Sequence, residues 1–202
     1  MGYTGAVTPP PGRRERKKAA TRQALAETAI KLFLERGFDD VTVREIADAV
    51  DVSTTTLMKY FPTKEALVFD RDEQLEWELI SAVTDRPAKT SVLDALRGYV
   101  KKRAERVVSA RYQAFMKLVR TTPALSNYWA QMWGRHHHTL ARLLAKDVGR
   151  PESDLWCSAM AHFVLEAAVL SEQSTHPAKM SDMAFQILDQ GWLRSSQPSR
   201  RS

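Results

Sequence analysis

Residues 42–67 constrain the fold of this chain more than any other stretch. Thr42 is followed three residues later by Glu45, the pairing of a capping box, in which each side chain accepts a hydrogen bond from the other residue's backbone N–H. A helix is therefore predicted to begin just after Thr42. Ser53 offers a second N-cap hydroxyl, and Pro62 ends the helix that follows. Two short helices joined by a tight turn predict a helix-turn-helix unit.

A preceding helix is predicted over residues 21–36, because apolar side chains recur there at helical spacing and Gly37 supplies a stop. It should serve as a scaffold for the two short helices. The predicted small core consists of Phe33, Phe38, Val41, Ile46, Val50, Val52 and Leu57.

The segment LFLERGFDDVTVREIADAVDVSTTTLMKYFPTKEAL, within residues 21–67, resembles the amino-terminal DNA-binding domain of the TetR family of bacterial transcriptional regulators. The shared motifs are a first helix that closes on Phe33 and Gly37-Phe38, the opening TVREIA, and the later YFPTKE. Asp51 stands in the turn where the family usually has glycine. Aspartate is among the few side chains that tolerate a left-handed backbone, so we expect the turn to form.

The bulk composition agrees with a globular regulator without selecting one. The 202 residues are 44% hydrophobic, and the formal charge of +6 with a pI near 9.5 favours a polyanionic partner. The same charge fits ribosomal or membrane-surface proteins. Cys157 is the single cysteine, which excludes an internal disulfide framework and a cysteine-based zinc finger. Since no apolar run resembles a signal peptide or a membrane span, we expect a cytoplasmic protein with no membrane partner.

The remainder of the chain reads as helix, so the predicted class is all-α, with an amino-terminal three-helix domain and a six-helix ligand-binding and dimerisation domain. The predicted boundaries are a disordered tail at 1–12, the DNA-binding domain at 13–67, the second domain at 68–194 and a disordered tail at 195–202. A long fourth helix is predicted from 64 to about 84. It links the two domains and is the natural lever of a two-state switch.

The second short helix is predicted to read DNA in the major groove. Thr54 and Thr55 can pack methyl groups on thymine, and Arg44 can make a bidentate contact with guanine. The resemblance places phosphate contacts near Thr42, Tyr60 and Lys64, although these residues could instead cap a helix, cover the core or remain solvated. The predicted DNA-binding residues are Thr42, Arg44, Ser53, Thr54, Thr55, Lys59, Tyr60 and Lys64.

Five basic residues precede the first predicted helix. They are Arg13, Arg14, Arg16, Lys17 and Lys18, with Glu15 as the one acidic residue among them. Such an arm can lie in a minor groove or along phosphates. The alternative is a solvated charge run that contributes only to solubility.

Aromatic and methionine side chains of the second domain could surround an apolar or aromatic effector, although such stripes more often form core. The predicted pocket consists of Trp77, Phe115, Met116, Trp129, Met132, Trp133, His136, Met160, Phe163 and Glu166. His136, His162 and Glu166 interrupt apolar faces and could meet a polar ligand head, although a buried partner or the dimer seam would explain them equally. His162 and Glu166, at i and i+4 on one helix, could supply two ligands to a metal ion, but two ligands do not make a metal site. No metal and no cofactor are therefore expected.

The helix over 155–170 is apolar nearly all round and needs cover on two sides. A second copy of the chain is the economical cover, as the family resemblance implies, and a buried central helix of a monomer is the alternative. The predicted dimer interface consists of Leu155, Ala159, Ala167, Leu170, Met180, Met183, Ala184, Ile187 and Leu188.

The resemblance to the TetR family implies a homodimeric repressor that leaves a palindromic, double-stranded operator when a small apolar or aromatic effector binds. An activator remains open, as does an acyl-CoA-like effector whose acidic end meets Lys101, Lys102 or Arg103. Two more distant alternatives are a helical enzyme built on His136, His162 and Glu166, and a module that binds an acidic partner. The enzyme lacks a nucleophile–base pair at informative spacing, so we expect no enzymatic activity.

Overall fold

The computed structural model describes residues 12–105 and 109–195, with side chains up to residue 190. Every regular element in these ranges is helical, which confirms the predicted all-α class. The chain divides into two compact units between Asp70 and Arg71. The predicted tails fall mainly outside the described residues. Ser195, predicted in the second tail, instead closes the last helix.

From residue 12 onward, the first unit contains three α-helices and one turn of 3-10 helix. These elements are α1 (Arg13–Arg36), α2 (Val43–Ala49), α3 (Thr54–Tyr60) and the 3-10 turn (Glu65–Leu67). Helix α1 begins at Arg13, eight residues before the predicted start. The reason is local, because Arg, Lys, Glu and Ala are strong helix formers and no Gly or Pro interrupts the segment after Gly12.

The predicted caps of α2 and α3 are present. Thr42 Oγ1 accepts from the Glu45 N–H at 3.2 Å, and Glu45 Oε2 accepts from the Thr42 N–H at 2.7 Å, which completes the capping box. Ser53 Oγ accepts from the Thr56 N–H at 3.1 Å and caps α3. Between the helices, Asp51 has φ of 54°, the left-handed conformation expected of it.

Acid should weaken the capping box. Hydrogen bonds from Thr42, with Arg36 at 2.8 Å, lower the pKa of Glu45 from 4.5 to about 2. A lowered carboxyl pKa contributes stability that is present above the unfolded pKa and is lost as pH falls toward the folded pKa. We therefore expect the stability difference between wild type and Glu45→Gln to be constant above pH 4.5 and to shrink between pH 4.5 and about 2.

Denaturant unfolding at stepped pH measures this difference. Glu35→Gln, which removes an exposed carboxylate from α1, is the matched control. A wild-type advantage over Glu45→Gln that stays constant down to pH of about 2 would contradict the assigned role of the Glu45 charge.

The core of the first unit is aromatic and aliphatic. Phe33 and Phe38 pack with ring centroids 4.9 Å apart, next to fully buried Ile46 and Leu57. Of the predicted core residues, Val50 and Val52 are only half-buried, because they flank the exposed turn.

The predicted fourth helix does not start at residue 64. The 3-10 turn is followed by buried side chains, so that Leu67, Val68 and Phe69 are buried in succession. Successive residues of an α-helix point about 100° apart, so a regular helix would turn at least one of them toward solvent. The Arg22 Nε atom then pairs with Asp70 Oδ1 at 2.6 Å, which explains why the first unit extends three residues beyond the predicted boundary at residue 67.

The described part of the second unit contains six helices, as predicted. They are α4 (Asp72–Thr84), α5 (Val92–Glu105), α6 (Ala110–Thr121), α7 (Pro123–Asp147), α8 (Leu155–Gln173) and α9 (Pro177–Ser195). Helix α8 starts at Leu155 rather than near Pro151, because Asp154 Oδ1 caps the Cys157 N–H at 2.9 Å. Val107, predicted in the fifth helix, lies outside the described residues.

One hydrophobic cluster joins five of these helices. Its fully buried members include Leu79, Leu96, Leu140, Leu144 and Phe185, which come from α4, α5, α7 and α9, while α8 adds a row of small and aliphatic side chains. Among the described helices, none combines the length and apolar character that crossing a bilayer requires.

Candidate nucleic-acid interface and ligand site

One side of helix α3 is buried, and the other side is exposed to solvent. Leu57 is fully buried and anchors the helix, whereas Thr54, Thr55 and Lys59 are exposed and Met58 is 42% exposed. The predicted reading residues therefore share a polar surface on a helix whose position is fixed by its cap and its core contact.

Arg44 is the second residue of α2, and its side chain is 84% exposed. Its Nε atom is 3.7 Å from Asp48 Oδ2, a loose surface pair that costs little to break. The hydroxyls of Thr42 and Ser53 are already engaged in capping, and Tyr60 is half-buried.

Lys64 is held inside the first unit. Its ammonium donates to the Phe38 carbonyl oxygen and lies over the Phe38 ring, 4.2 Å from the centroid. Burial lowers the pKa of Lys64, against the attraction of Asp39 and other nearby carboxylates. The predicted phosphate contact stays a prediction, because it requires the ammonium to leave these partners.

The prediction that the five basic residues form an arm ahead of the first helix is wrong, because they belong to the helix itself. All five of its basic residues lie in the first turns of α1 and are exposed. In a helix, Arg13 and Lys17 are neighbours at i, i+4, as are Arg14 and Lys18. This arrangement offers charge to phosphates from a rigid helical surface, whereas an extended arm would be needed to follow the floor of a minor groove.

The second unit contains a buried ion pair. The Arg103 guanidinium on α5 donates to the Glu172 carboxylate on α8, and the Tyr112 hydroxyl on α6 donates to the same carboxylate. Arg103 also lies 5.3 Å from the Trp133 ring centroid. Burial opposes the guanidinium charge, but the attraction of Glu172 outweighs it and raises the pKa of Arg103.

Sequence reasoning missed Glu172, although a signal was present. Leu165, Ala168 and Glu172 continue the i, i+3, i+7 spacing of the buried side of α8, so the pattern places a carboxylate on the core side of this helix. Its partners, Arg103 and Tyr112, come from other helices, so the sequence of α8 does not identify them.

His136 is a core histidine with a carboxylate partner. It is 1% exposed, and its Nε2 atom is 2.8 Å from Asp72 Oδ1, while Arg135 donates to Oδ2 of the same side chain. Burial lowers the pKa of His136, against the opposing effects of Asp72 and Glu76. Thr139 adds a 2.8 Å hydrogen bond to Glu76. These contacts attach the first turns of α4 to α7.

The ten predicted pocket residues differ in their exposure and contacts. Met116, Met132 and Met160 are buried, and His136 is committed to Asp72. Phe163, at 54% exposure, and the exposed Glu166 lie on the outer side of α8. Of the remaining four residues, Phe115, Trp129 and Trp133 are half-buried and Trp77 is exposed. The predicted pocket stays a prediction, because core and pocket side chains look alike in sequence.

A cleft of about 440 Å³ opens between α4 and α5. Its lining includes the small residues Ser81, Ala82, Ala95 and Gly98. Trp77 is the predicted pocket residue that lines it. Lys102 and Arg103, which the sequence offered for an acidic ligand end, also line it. The volume lies in the range of small-molecule sites.

The outer sides of α8 and α9 expose several large apolar side chains. Their exposed fractions are 85% for Leu155, 54% for Phe163, 44% for Leu170, 51% for Met183 and 70% for Ile187. Ala159 is also exposed. We call these six residues the α8–α9 apolar surface.

Four predicted interface residues are placed elsewhere. Ala167 is 3% exposed and belongs to the core, so its assignment is wrong. Met180 is half-buried, and Ala184 and Leu188 pack partly against the hydrophobic cluster. The helical stripe of α9 therefore divides, with one edge facing its own unit and the other facing outward.

Comparison with known proteins identifies both units. Residues 25–70 match the family model for bacterial regulatory proteins of the tetR family. Residues 87–192, more than half of the chain, match the model described as the MftR C-terminal domain. The chain is 31% identical over 147 residues to the HTH-type transcriptional regulator TcmR of Streptomyces glaucescens, a match that covers 69% of this chain and 65% of that protein.

Two further proteins match over nearly the full length. MftR of Mycobacterium tuberculosis is 24% identical over 190 residues, which cover 90% of this chain and 96% of that protein. The structure of Salmonella enterica GusR superposes with a TM-score of 0.61 at 17% identity and covers 94% of this chain and all of that chain. The protein therefore belongs to the TetR family and is a DNA-binding transcriptional regulator rather than an enzyme.

Proposed function

We propose that the protein is a homodimeric repressor that binds a palindromic operator through α3 and is released by a small-molecule effector bound in the second unit. The observation that carries the DNA-binding part is the polar surface of α3, held in place by the buried Leu57 and by the Ser53 cap. Without the anchor the side chains would present no fixed pattern to base edges.

Specificity is proposed to come from Thr55 and Arg44. Threonine offers a methyl group to thymine and a hydroxyl to a base edge or phosphate, and Arg44 can replace its loose Asp48 contact with a bidentate contact to guanine. Thr54 and Lys59 extend the same polar surface, and the remaining contacts go to phosphates, which position the helix without reading sequence.

Arg44→Ala is expected to reduce the preference for operator over random DNA by about 1–3 kcal/mol, because a bidentate arginine–guanine contact has this magnitude. Competition binding with operator and scrambled duplexes measures it. Arg142→Ala, which removes an exposed arginine from α7, controls for the change in net charge. An unchanged preference in Arg44→Ala would show that Arg44 does not read bases.

The first turns of α1 are proposed to contact phosphates. Lys17→Gln/Lys18→Gln should reduce the slope of log binding constant against log salt concentration by about 1 for each phosphate that is no longer neutralised, with little change in sequence preference. Titrations at several salt concentrations test this. Lys89→Gln/Lys117→Gln, which neutralises two exposed lysines of the second unit, should leave the slope unchanged. If the two double variants have the same salt slope, the α1 charges contribute to solubility rather than to phosphate contacts.

Dimerisation is proposed to use the α8–α9 apolar surface. Contiguous exposed apolar patches are rare on monomers and mark association sites. A twofold arrangement pairs the same surface with itself and presents two copies of α3 to half-sites one helical turn apart, roughly 34–36 Å.

The effector is proposed to be an apolar or aromatic small molecule, and the cleft between α4 and α5 is the candidate site. Release follows if the effector binds more tightly to a state in which the two reading helices do not fit the operator, since a ligand shifts an equilibrium only by its differential affinity. The contacts to several phosphates would then be lost together, so a small displacement of the reading helices is sufficient for release from the operator.

Selection of bound sequences from random DNA tests the proposal as a whole. We expect an inverted repeat whose two half-sites are centred about one helical turn apart. Recovery of unrelated sequences, or of a single half-site without symmetry, would contradict the dimeric operator. Placement of the recovered site over a promoter, followed by a reporter assay with and without the protein, tests repression.

A further inference from the structure

We propose that the cleft between α4 and α5 binds aromatic anions, with the negatively charged group at the end formed by Tyr99, Lys102 and Arg103 and the ring system against Trp77. This inference rests on the proposed function and deepens it, because it gives the chemical class of the effector assigned to this cleft. All four residues belong to the second unit.

The cleft has two chemically different ends. Helices α4 and α5 pack against each other and are joined by residues 85–91, so the start of α4 lies beside the end of α5. Asp85 and Asp94 line the cleft near the connection, whereas Trp77 and Lys102 line it toward the other end. The helical rise separates Asp94 from Lys102 by about 12 Å along α5. A ligand with one charged group can therefore distinguish the two ends.

Lys102 supplies the positive charge for a bound anion. It is exposed, it lines the cleft, and none of the ion pairs between described residues uses its ammonium. Arg86 also lines the cleft but is committed elsewhere. Its guanidinium donates to the carbonyl oxygens of Val83 and Thr90, at 2.6 and 3.2 Å, and to the carboxylate of Asp147. Lys102 can therefore turn to an anion without giving up a protein partner.

Tyr99 and Arg103 add buried hydrogen-bond donors at the same end. Arg103 Nη1 donates to the Tyr99 hydroxyl oxygen at 3.5 Å, which leaves the hydroxyl hydrogen available to a ligand oxygen. Burial raises the pKa of Tyr99, against the opposing effect of Arg103, so this hydroxyl stays protonated at neutral pH. Glu172 offsets the charge of Arg103, so the buried pair contributes donors and Lys102 contributes the charge.

Glu78 is a carboxylate that opposes an anion in this cleft. It is half-buried and lines the cleft one residue after Trp77. Its Oε1 atom accepts from Gln74 Nε2 at 3.0 Å, a hydrogen bond that partly offsets its charge. Removal of the Glu78 charge should therefore strengthen the binding of an anion, whereas removal of the Lys102 charge should weaken it.

The aromatic part of the proposed ligand follows from Trp77. This side chain is 64% exposed, although tryptophan is usually buried to a large extent, and it offers a ring on which another ring can stack. Ala82, Ala95 and Gly98 also line the cleft. A Cβ atom at Gly98 would meet no heavy atom of the described chain within 4 Å. The volume of about 440 Å³ is in the range that holds a small molecule.

The test compares two fluorescent probes that share an aromatic skeleton, the anion anilinonaphthalenesulfonate and the neutral phenylnaphthylamine, with the full-length protein. Wild type should bind the anion more tightly. Lys102→Met should weaken binding of the anion about fivefold and leave that of the neutral probe unchanged, since this is the size of one partly exposed charge pair. Lys117→Met, which removes an exposed lysine from α6, should change neither.

Two further measurements exclude a purely structural effect of Lys102. Glu78→Gln should tighten binding of the anion and leave the neutral probe unchanged. Added salt should weaken binding of the anion to wild type more than to Lys102→Met, because salt screens the exposed ammonium. A structural disturbance of the cleft would instead alter both probes alike and would not depend on salt.

A pair of glycine variants locates the binding site. Gly98→Leu places a large side chain in the cleft and should weaken both probes at least tenfold. Gly134→Leu is the matched control, because Gly134 lies within α7 and has equally open space at its Cβ position. Leucine favours a helix over glycine at both positions, so both variants should fold, and their melting temperatures verify this.

The outcomes separate the ligand class from the proposed function. Equal affinity of wild type for the two probes, or no response of the anion to Lys102→Met and Glu78→Gln, overturns the assignment to anions. Probe binding that survives Gly98→Leu, or an absence of saturable binding to wild type, overturns the site. If the anion binds in the cleft but does not release the operator, effector release at this site fails, whereas the binding of aromatic anions stands.

Discussion

Glu172→Ala is expected to lower the free energy of unfolding of the second unit by about 3–5 kcal/mol, which is the typical cost of removing one partner of a buried ion pair. The variant would leave the Arg103 guanidinium charged, with its side chain 9% exposed, in a place where water cannot replace the carboxylate. Tyr112 would lose its acceptor at the same time.

Tryptophan fluorescence during denaturant unfolding isolates this effect, because all five tryptophans of the chain follow residue 70 and so report on the second unit. Glu166→Ala is the matched control, since Glu166 is an exposed glutamate on the same helix. Its effect should stay within about 0.5 kcal/mol.

A double variant distinguishes the two explanations of such a loss, which are an unpaired buried charge and poorer packing. Arg103→Met/Glu172→Leu removes both charges and keeps the interior filled, so it should recover most of the stability that Glu172→Ala loses. If the single variant loses less than about 1 kcal/mol, the pair is not buried in solution in the way the structure has it. If the double variant is as unstable as the single one, poorer packing rather than the unpaired charge explains the effect.

Ile187→Asp is expected to convert the dimer to a monomer and to reduce operator affinity by about 10²–10⁴-fold, because a monomer forfeits the effective concentration that a linked second head supplies. Ile187 is 70% exposed within the α8–α9 apolar surface. A twofold axis places each substitution in both halves of the interface, so two carboxylates would lose water and face apolar surface.

Analytical ultracentrifugation and operator titration measure these two quantities in parallel. Gln131→Asp adds the same charge to an exposed position of α7 and should leave both unchanged. Binding to a single half-site should be equal in wild type and Ile187→Asp, which establishes that the reading unit is intact. If Ile187→Asp remains a dimer, the dimer interface does not use the α8–α9 apolar surface.

The features that were predictable from the sequence are those whose physics is local. Thr42 and Glu45 are three residues apart, and both halves of their capping box are formed within that distance. Asp51 adopts the left-handed conformation because the turn demands it and aspartate permits it. Ile46 and Leu57 are buried because helical spacing turns them toward the inner side of their helices regardless of what lies further along the chain.

The features that were not predictable depend on partners far apart in sequence. Arg103 and Glu172 are 69 positions apart in the sequence, and Asp72 and His136 are 64 positions apart. Neither helix of such a pair carries information about the other. The predicted pocket stays a prediction for a related reason, because periodicity assigns Met132 to the inner side of a helix without saying whether another side chain or a ligand meets it there.

By itself, the sequence determined the helical class, the capped reading unit and the existence of an apolar outer surface, since propensity, capping and periodicity act over one or two turns. The tertiary structure alone decided that Lys64 turns to Phe38, that Ala167 faces the core, and that a buried ion pair occupies the second unit. Burial and charge pairing are properties of the space between helices, and that space exists only after the chain has folded.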